Sequence, residues 1–65
     1  MSKTTDLETQ RRVCIWKLKG ARILANQARD EGRGREALRY HRREIELTNS
    51  LRDIDAALLK LAIGV

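Results

Sequence analysis

The sequence lacks proline and phenylalanine altogether, and its 65 residues include one tryptophan, one tyrosine and one cysteine. Without a second cysteine no intrachain disulfide can form, and one cysteine with one histidine cannot build a structural zinc site. A chain this short buries too little surface to be comfortably stable by itself, so self-association is the favoured remedy. We therefore expect a homodimer, with no metal and no other cofactor.

Long apolar runs are missing as well. No segment approaches the length that a membrane span needs, and the opening MSKTTDLETQ is polar, unlike a secretory signal. A lone thiol, that of Cys14, fits a reducing compartment. The expected setting is the cytoplasm, with no membrane partner.

Strand signals are absent, whereas residues of high helix propensity dominate. We predict one domain, residues 1–65, with helices over residues 6–31 and 35–63 and a turn at 32–34. Thr5 followed three residues later by Glu8 has the spacing of a capping box. Lys60 and Gly64 suit the end of the second helix.

Apolar residues recur at helical spacing in both segments. Steps of seven residues from Cys14, which stay on one face of a continuous helix, lead to Arg35. The apolar stripe of the second segment instead begins at Tyr40 and runs to Val65, so the apolar face shifts between the segments, where Gly32 and Gly34 lie. This shift favours an all-α, two-helix antiparallel hairpin, and its broad apolar faces favour dimerisation into a four-helix bundle. The predicted packing residues are Cys14, Leu18, Ala21, Leu47, Leu51, Ile54, Leu58 and Leu61.

A second apolar set lies beside the packing stripe of the first helix: Val13, Trp16, Gly20, Ile23 and Leu24. Trp16 is either a tryptophan of the dimer core or an anchor for a partner protein, since tryptophan is enriched among interface hot spots. The small residues of this helix, Gly20 included, are expected to let the second helix approach closely.

The chain carries 14 basic and 9 acidic residues, for a net charge of +5. The first ten residues sum to −1, residues 11–35 to +6 and the remainder to zero. The basic excess therefore belongs to the first helix and the turn, where Arg11, Arg22 and Arg29 are expected to project opposite the apolar face. This basic arc suits phosphates or an acidic protein partner equally well.

No constellation for catalysis is visible. His41 has no neighbouring nucleophile, Cys14 lies on the packing stripe, and no paired carboxylates or phosphate-binding loop occur, so we expect no enzyme. The residues predicted to contact a partner come from the apolar edge, the basic arc and the turn: Trp16, Arg22, Ile23, Arg29, Arg33, Arg35, Arg39 and Tyr40.

Three segments carry a resemblance: TTDLETQ as a helix start, EGRGRE as a turn and LTNSLRDIDAALLKL as a packing stripe. Their layout resembles the plasmid repressor-of-primer type, a hairpin dimerising into a four-helix bundle that grips paired RNA loops. The chain departs from it in having no phenylalanine and a basic charge balance, so no RNA-binding residue is carried over. The layout is also similar to phage-encoded helical hairpins that bind and disable host proteins.

Two functional hypotheses follow, beside a third possibility, a structural subunit of a larger assembly. The favoured one is a non-enzymatic homodimer that binds and inhibits or modulates another protein, as the resemblance to phage-encoded inhibitors of host regulators implies. The alternative is an RNA- or DNA-binding regulator, as the repressor-of-primer resemblance implies, using the basic arc and the turn.

Overall fold

The structure, a computed structural model, describes residues 3–64. It consists of two α-helices, α1 (Lys3–Asp30) and α2 (Gly34–Ile63), and the described residues contain no strand. The prediction of an all-α helical hairpin is confirmed. Val65, the predicted last residue of the second packing stripe, lies outside the described residues.

The two helices run antiparallel, as their side-chain contacts show. Arg11 reaches Asp55, and Arg22, eleven residues further along α1, reaches Glu44, eleven residues earlier on α2. The contacts between the helices therefore step down α2 as they step up α1.

The reversal is built on Gly32, whose φ of 75° lies in the left-handed region that disfavours residues with a Cβ. The Arg33 amide donates to the Ala28 carbonyl at 2.8 Å, and the Gly32 amide donates to the Arg29 carbonyl at 3.1 Å. These two bonds form a Schellman motif, which satisfies carbonyls that the end of α1 would otherwise leave unpaired. Gly32 thus ends α1 as the sequence predicted.

The start of α1 differs from the predicted bound, whereas α2 ends at residue 63 as predicted. The described part of α1 already begins at Lys3, so Thr5 lies inside its first turn, and the prediction that Thr5 caps the helix is wrong. At the far end of α2, Gly64 adopts φ 74° and its amide donates to the Leu61 carbonyl at 3.2 Å. The predicted glycine cap at this end is confirmed.

The core between the helices pairs small residues of α1 with large residues of α2. The buried stripe of α1, called the inner stripe below, comprises Cys14, Leu18, Ala21, Ala25 and Ala28. Leu47 is the buried residue of α2, and Leu51 and Ile54 pack against the same cluster while staying partly exposed. The Cys14 thiol donates a hydrogen bond to the Leu47 carbonyl at 3.1 Å, which fixes the two helices against each other at mid-length.

Burial weakens along α2 away from Leu47. Tyr40 and Leu58 are partly buried, whereas Leu61 is 42% exposed. The hairpin by itself therefore does not bury Leu61, although the heptad pattern places it on the packing stripe.

The resulting shape is a thin rod. It measures 49 × 17 × 11 Å along its principal axes, with a radius of gyration of 14.9 Å. A compact domain of this length has a radius of gyration of about 11 Å. Neither described helix contains an apolar stretch of the length that a membrane crossing requires.

Candidate interaction surface

The largest uncovered feature of α1 is a row of apolar residues that we call the outer seam: Val13, Trp16, Gly20 and Ile23. Trp16 is 77% exposed and Ile23 is 66% exposed, and Val13 is exposed too. Leu24, also exposed, borders the row. An indole left this open to water is the most conspicuous apolar surface in the described chain, because tryptophan is highly buried on average.

The outer seam and the inner stripe lie on different sides of the same helix. Seam residues are spaced by three, four and three, which keeps one face of an α-helix in line. The inner stripe follows the same rule from Cys14 onward, one position later in the sequence. α1 thus has two apolar faces, and α2 covers only one of them.

Gly20 lies in the middle of the outer seam and is not needed for helix packing. A Cβ added to Gly20 would meet no atom within 4 Å. The expectation that Gly20 permits close approach of the second helix is therefore wrong. The close approach belongs to Ala21, Ala25 and Ala28, of which Ala28 is 0% exposed.

The predicted basic arc does not project freely away from the hairpin. The Arg11 Nε lies 2.7 Å from an Asp55 carboxylate oxygen, and the Arg22 Nε lies 3.7 Å from a Glu44 carboxylate oxygen. Arg29 donates to the Asn26 side-chain oxygen. The placement of this arc opposite the apolar face is wrong for Arg11 and Arg22, because both reach across to acids of α2.

The turn is also neutralised from within. Arg33 pairs with Glu31 at 2.7 Å and with Glu36. A positive charge is unfavourable at the positive end of the α2 dipole, and these two acids offset it. Arg35, two residues on, is exposed and forms no ion pair among residues 3–64. Of the two predicted contact arginines at the turn, Arg35 is therefore the one left open.

A shallow groove on the outer side of α2 collects arginines near the turn. The groove is lined by Arg35, Arg39 and Arg42, which form no ion pair within the described part of the chain. Leu38 and Tyr40 form its apolar side. Arg43 also lines it but pairs with Glu46 at 3.3 Å. The structure thus brings predicted contact residues Arg35, Arg39 and Tyr40 together, and adds Arg42, which the sequence reasoning missed.

Further apolar residues are exposed along α2, away from the arginine groove as well as within it. They are Leu38, Ile45, Leu59, Leu61 and Ile63. Thus α2, like α1, has apolar surface that the partner helix does not cover.

Charge totals by segment do not show which cations are open. Residues 11–35 have the largest excess of positive charge, yet Arg11, Arg22 and Arg33 in that segment are paired. The cations of α1 that remain without an ion pair in the described structure are Arg12, Lys17 and Lys19, together with Lys3 and Arg29. Helical spacing of Arg12, Lys17 and Lys19 around Trp16 was the signal that could have found them.

Comparison of the chain with protein-family models, with curated proteins and with solved structures finds no match in any of the three. The structure itself shows a two-helix hairpin with uncovered apolar faces. Any functional conclusion depends on the residues of that hairpin.

Proposed function

We propose that this protein is a non-enzymatic interaction module, a helical-hairpin homodimer that assembles as a four-helix bundle and binds a second protein to inhibit or modulate it. The observation that carries the proposal is the amount of apolar surface that the isolated hairpin leaves uncovered. Its lone cysteine, Cys14, suits a cytoplasmic setting.

The uncovered surface can be compared with what a stable dimer needs. The hairpin exposes 5415 Å². A compact monomer of 7.5 kDa exposes about 4,200 Å², so the excess is roughly 1,200 Å² per chain. A standard interface removes roughly 800 Å² from each partner. The excess is therefore enough for one interface between two copies and leaves some surface for another contact.

α2 is the better face for a second copy. It contributes the larger share of exposed apolar side chains, including Ile45, Leu59 and Ile63. From residue 36 to the end, basic and acidic residues are equal in number, five of each. With Arg35 included, α2 has a net charge of +1 against +4 for α1, so two copies of α2 meet with far less like-charge repulsion than two copies of α1.

The alternative function, nucleic-acid binding, is supported by the arginine groove of α2. Arg35, Arg39 and Arg42 have no intramolecular ion pairs in the described residues, so phosphates would not have to displace existing partners. Tyr40 is the only aromatic side chain in this groove, which provides little surface for base stacking. Protein binding remains the better-supported function, because phosphates would contact the arginines and leave the exposed apolar side chains uncovered.

The homodimer is tested by sedimentation equilibrium across the micromolar range, with Ile45→Glu/Leu59→Glu as the disrupting variant. We expect the parent to sediment as a dimer and the variant as a monomer with unchanged helical circular dichroism. Asn26→Glu/Gln10→Glu, which places two acids on exposed polar positions of α1, is the matched control and should stay dimeric. A parent that remains monomeric throughout would refute self-association.

The nucleic-acid alternative is tested by fluorescence anisotropy with labelled single- and double-stranded oligonucleotides at low salt. Binding that declines steeply with salt and is lost in Arg35→Glu/Arg39→Glu would favour it. Absence of binding at low salt would exclude it.

A further inference from the structure

We propose that the outer seam of α1 is a docking site for one amphipathic helix of a partner protein, and that this helix carries acidic residues on both edges of its apolar stripe. This inference rests on the proposed interaction role and specifies the chemistry of the partner. Three observations carry it: the spacing of the seam, the cations along its edges and the lack of ion pairs to those cations within the described residues.

The spacing of the outer seam is that of a coiled-coil interface. Val13 and Gly20 occupy one core position of successive heptads, conventionally a, while Trp16 and Ile23 occupy the other, d. α2 packs on a different side of α1, against the inner stripe, so the seam remains available to another helix. A seam of this kind receives a helix lengthwise, with apolar residues at three- and four-residue spacing.

Cations flank the seam on both edges. In the same heptad register Lys17 lies at an e position, and Arg12 and Lys19 lie at g positions, which are the positions that choose a coiled-coil partner by charge. All three side chains are exposed, and none forms an ion pair among the described residues. The edges of the seam are thus charged and unsatisfied within the chain.

The acid of α1 closest in sequence to the seam is Glu8, one turn before Arg12, and the two form no ion pair in the described structure. The stretch from Thr9 to Arg29 contains six basic residues and no aspartate or glutamate. The α2 acids that reach this helix, Asp55 and Glu44, pair with Arg11 and Arg22 instead. Within the described residues no acid pairs with Arg12, Lys17 or Lys19, so another molecule can supply negative charge to all three.

A second copy of the chain is a poor occupant of this seam. In a symmetric pairing of two α1 seams, the flanking positions of both copies carry cations and no acid, so Arg12, Lys17 and Lys19 would meet no opposite charge. Like charges placed opposite each other across an interface disfavour the pairing. The charge-balanced α2 face is where a second copy fits, and the α1 seam is where a foreign acidic helix fits.

Nucleic acid is also a poor occupant, although the edges are basic. Phosphates would satisfy the three cations but would leave Val13 and Ile23 in water. An amphipathic helix covers the apolar residues and neutralises the cations in one contact. Gly20 adds to this fit, because the space beside it can accept a large side chain of the docked helix next to Trp16.

The test uses two synthetic, tryptophan-free peptides of about three heptads with leucine at a and d positions. One peptide has glutamate at its e and g positions, and the other has lysine there. Trp16 is the only tryptophan of the chain, so its emission reports contact at the seam directly. We expect the acidic peptide to bind with a blue shift of Trp16 emission, and the basic peptide to bind at least about tenfold more weakly.

Charge exchange in the protein separates a seam contact from general attraction to a basic protein. Lys17→Glu/Lys19→Glu should reverse the order of the two peptides, as measured by anisotropy of labelled peptide. Lys3→Glu/Lys60→Glu makes the same change in net charge away from the seam and should leave the order intact. A preference that weakens equally in both variants would overturn the proposal.

Two other outcomes would also overturn it. A blue shift of Trp16 that appears when the protein alone is concentrated would assign the seam to a second copy, and one that appears with an oligonucleotide would assign it to nucleic acid. Sedimentation of the same samples reports dimerisation independently of peptide binding. A dimer that ignores both peptides therefore contradicts the acidic-helix inference alone, whereas a monomer that binds the acidic peptide contradicts only the homodimer.

Discussion

The inner stripe and the outer seam of α1 have the same periodicity, but the inner stripe is buried and the outer seam is exposed. Cys14, Leu18 and Ala21 on the inner stripe are buried, whereas Trp16 and Ile23 on the outer seam are among the most exposed apolar residues of the hairpin. Side-chain size accounts for the difference in part. Alanines let α2 approach α1 closely, and the leucines and isoleucine of α2 fill the space between the helices.

An apolar stripe on a helix indicates that another surface packs on it, but the stripe alone does not identify that surface. The inner stripe has its neighbour in the same chain. The outer seam consists of large side chains around a glycine; Val13 borders a groove shared with Leu47 and Ile54 of α2, but Trp16 and Ile23 stay largely uncovered. Three pairs of substitutions test whether the two faces differ in energy as they differ in exposure.

The largest difference is expected between Leu18→Ala on the inner stripe and Ile23→Ala on the outer seam. Leu18 is buried, so its truncation leaves a cavity and should lower the free energy of unfolding by about 2–4 kcal/mol. A chain of 65 residues has roughly 3–10 kcal/mol of stability in total, so this loss is severe. Ile23→Ala should change the free energy of unfolding by less than about 0.5 kcal/mol. Urea denaturation followed by circular dichroism measures both.

Equal losses for the two variants would erase the distinction. They would mean that Ile23 is covered in the free protein, which only another chain could do, given its exposure in the hairpin. Repeating the denaturation at two protein concentrations identifies that case, because the stability of an associated state depends on concentration.

The next difference concerns added volume. Ala21→Leu places three extra carbons where α1 and α2 meet, and such overpacking costs about 1–3 kcal/mol. Gln27→Leu adds apolar volume at an exposed position that continues the outer seam by one step, and it should leave the free energy of unfolding nearly unchanged. An Ala21→Leu variant as stable as the parent would show that the inner stripe does not set the spacing of the helices.

Much of this architecture is predictable from the sequence. The glycine reversal at Gly32 followed from the phase shift of the apolar pattern, and the buried positions Cys14, Leu18 and Leu47 followed from three- and four-residue spacing. Helix periodicity is a local property, so it can be recognised without knowing the neighbour. The exposure of Leu61 was not predictable in this way, because it depends on where the two helices stop covering each other.

The pairing of charges was the part that sequence could not supply. Arg22 and Glu44 are 22 positions apart, and their contact exists only once the hairpin is closed in the observed register. The predicted basic arc placed Arg22 on a free basic surface and left out Lys17, which is open. Which cations remain open is a property of the folded pair of helices, and it determines the kind of partner proposed for α1.

The smallest expected effect, and the one that joins the two faces, is that of Gly20→Ala. A glycine inside an exposed helix costs about 1 kcal/mol relative to alanine, and an added Cβ here meets nothing within 4 Å. The variant should therefore be more stable by about 0.5–1 kcal/mol in urea denaturation.

The affinity of Gly20→Ala for the acidic peptide should fall, since the Cβ occupies space that the docked helix would use. Gly34→Ala, also unobstructed but remote from the seam, should leave peptide affinity unchanged. Loss of stability in Gly20→Ala would show that the glycine packs against another chain in the free protein, and that the outer seam is already occupied.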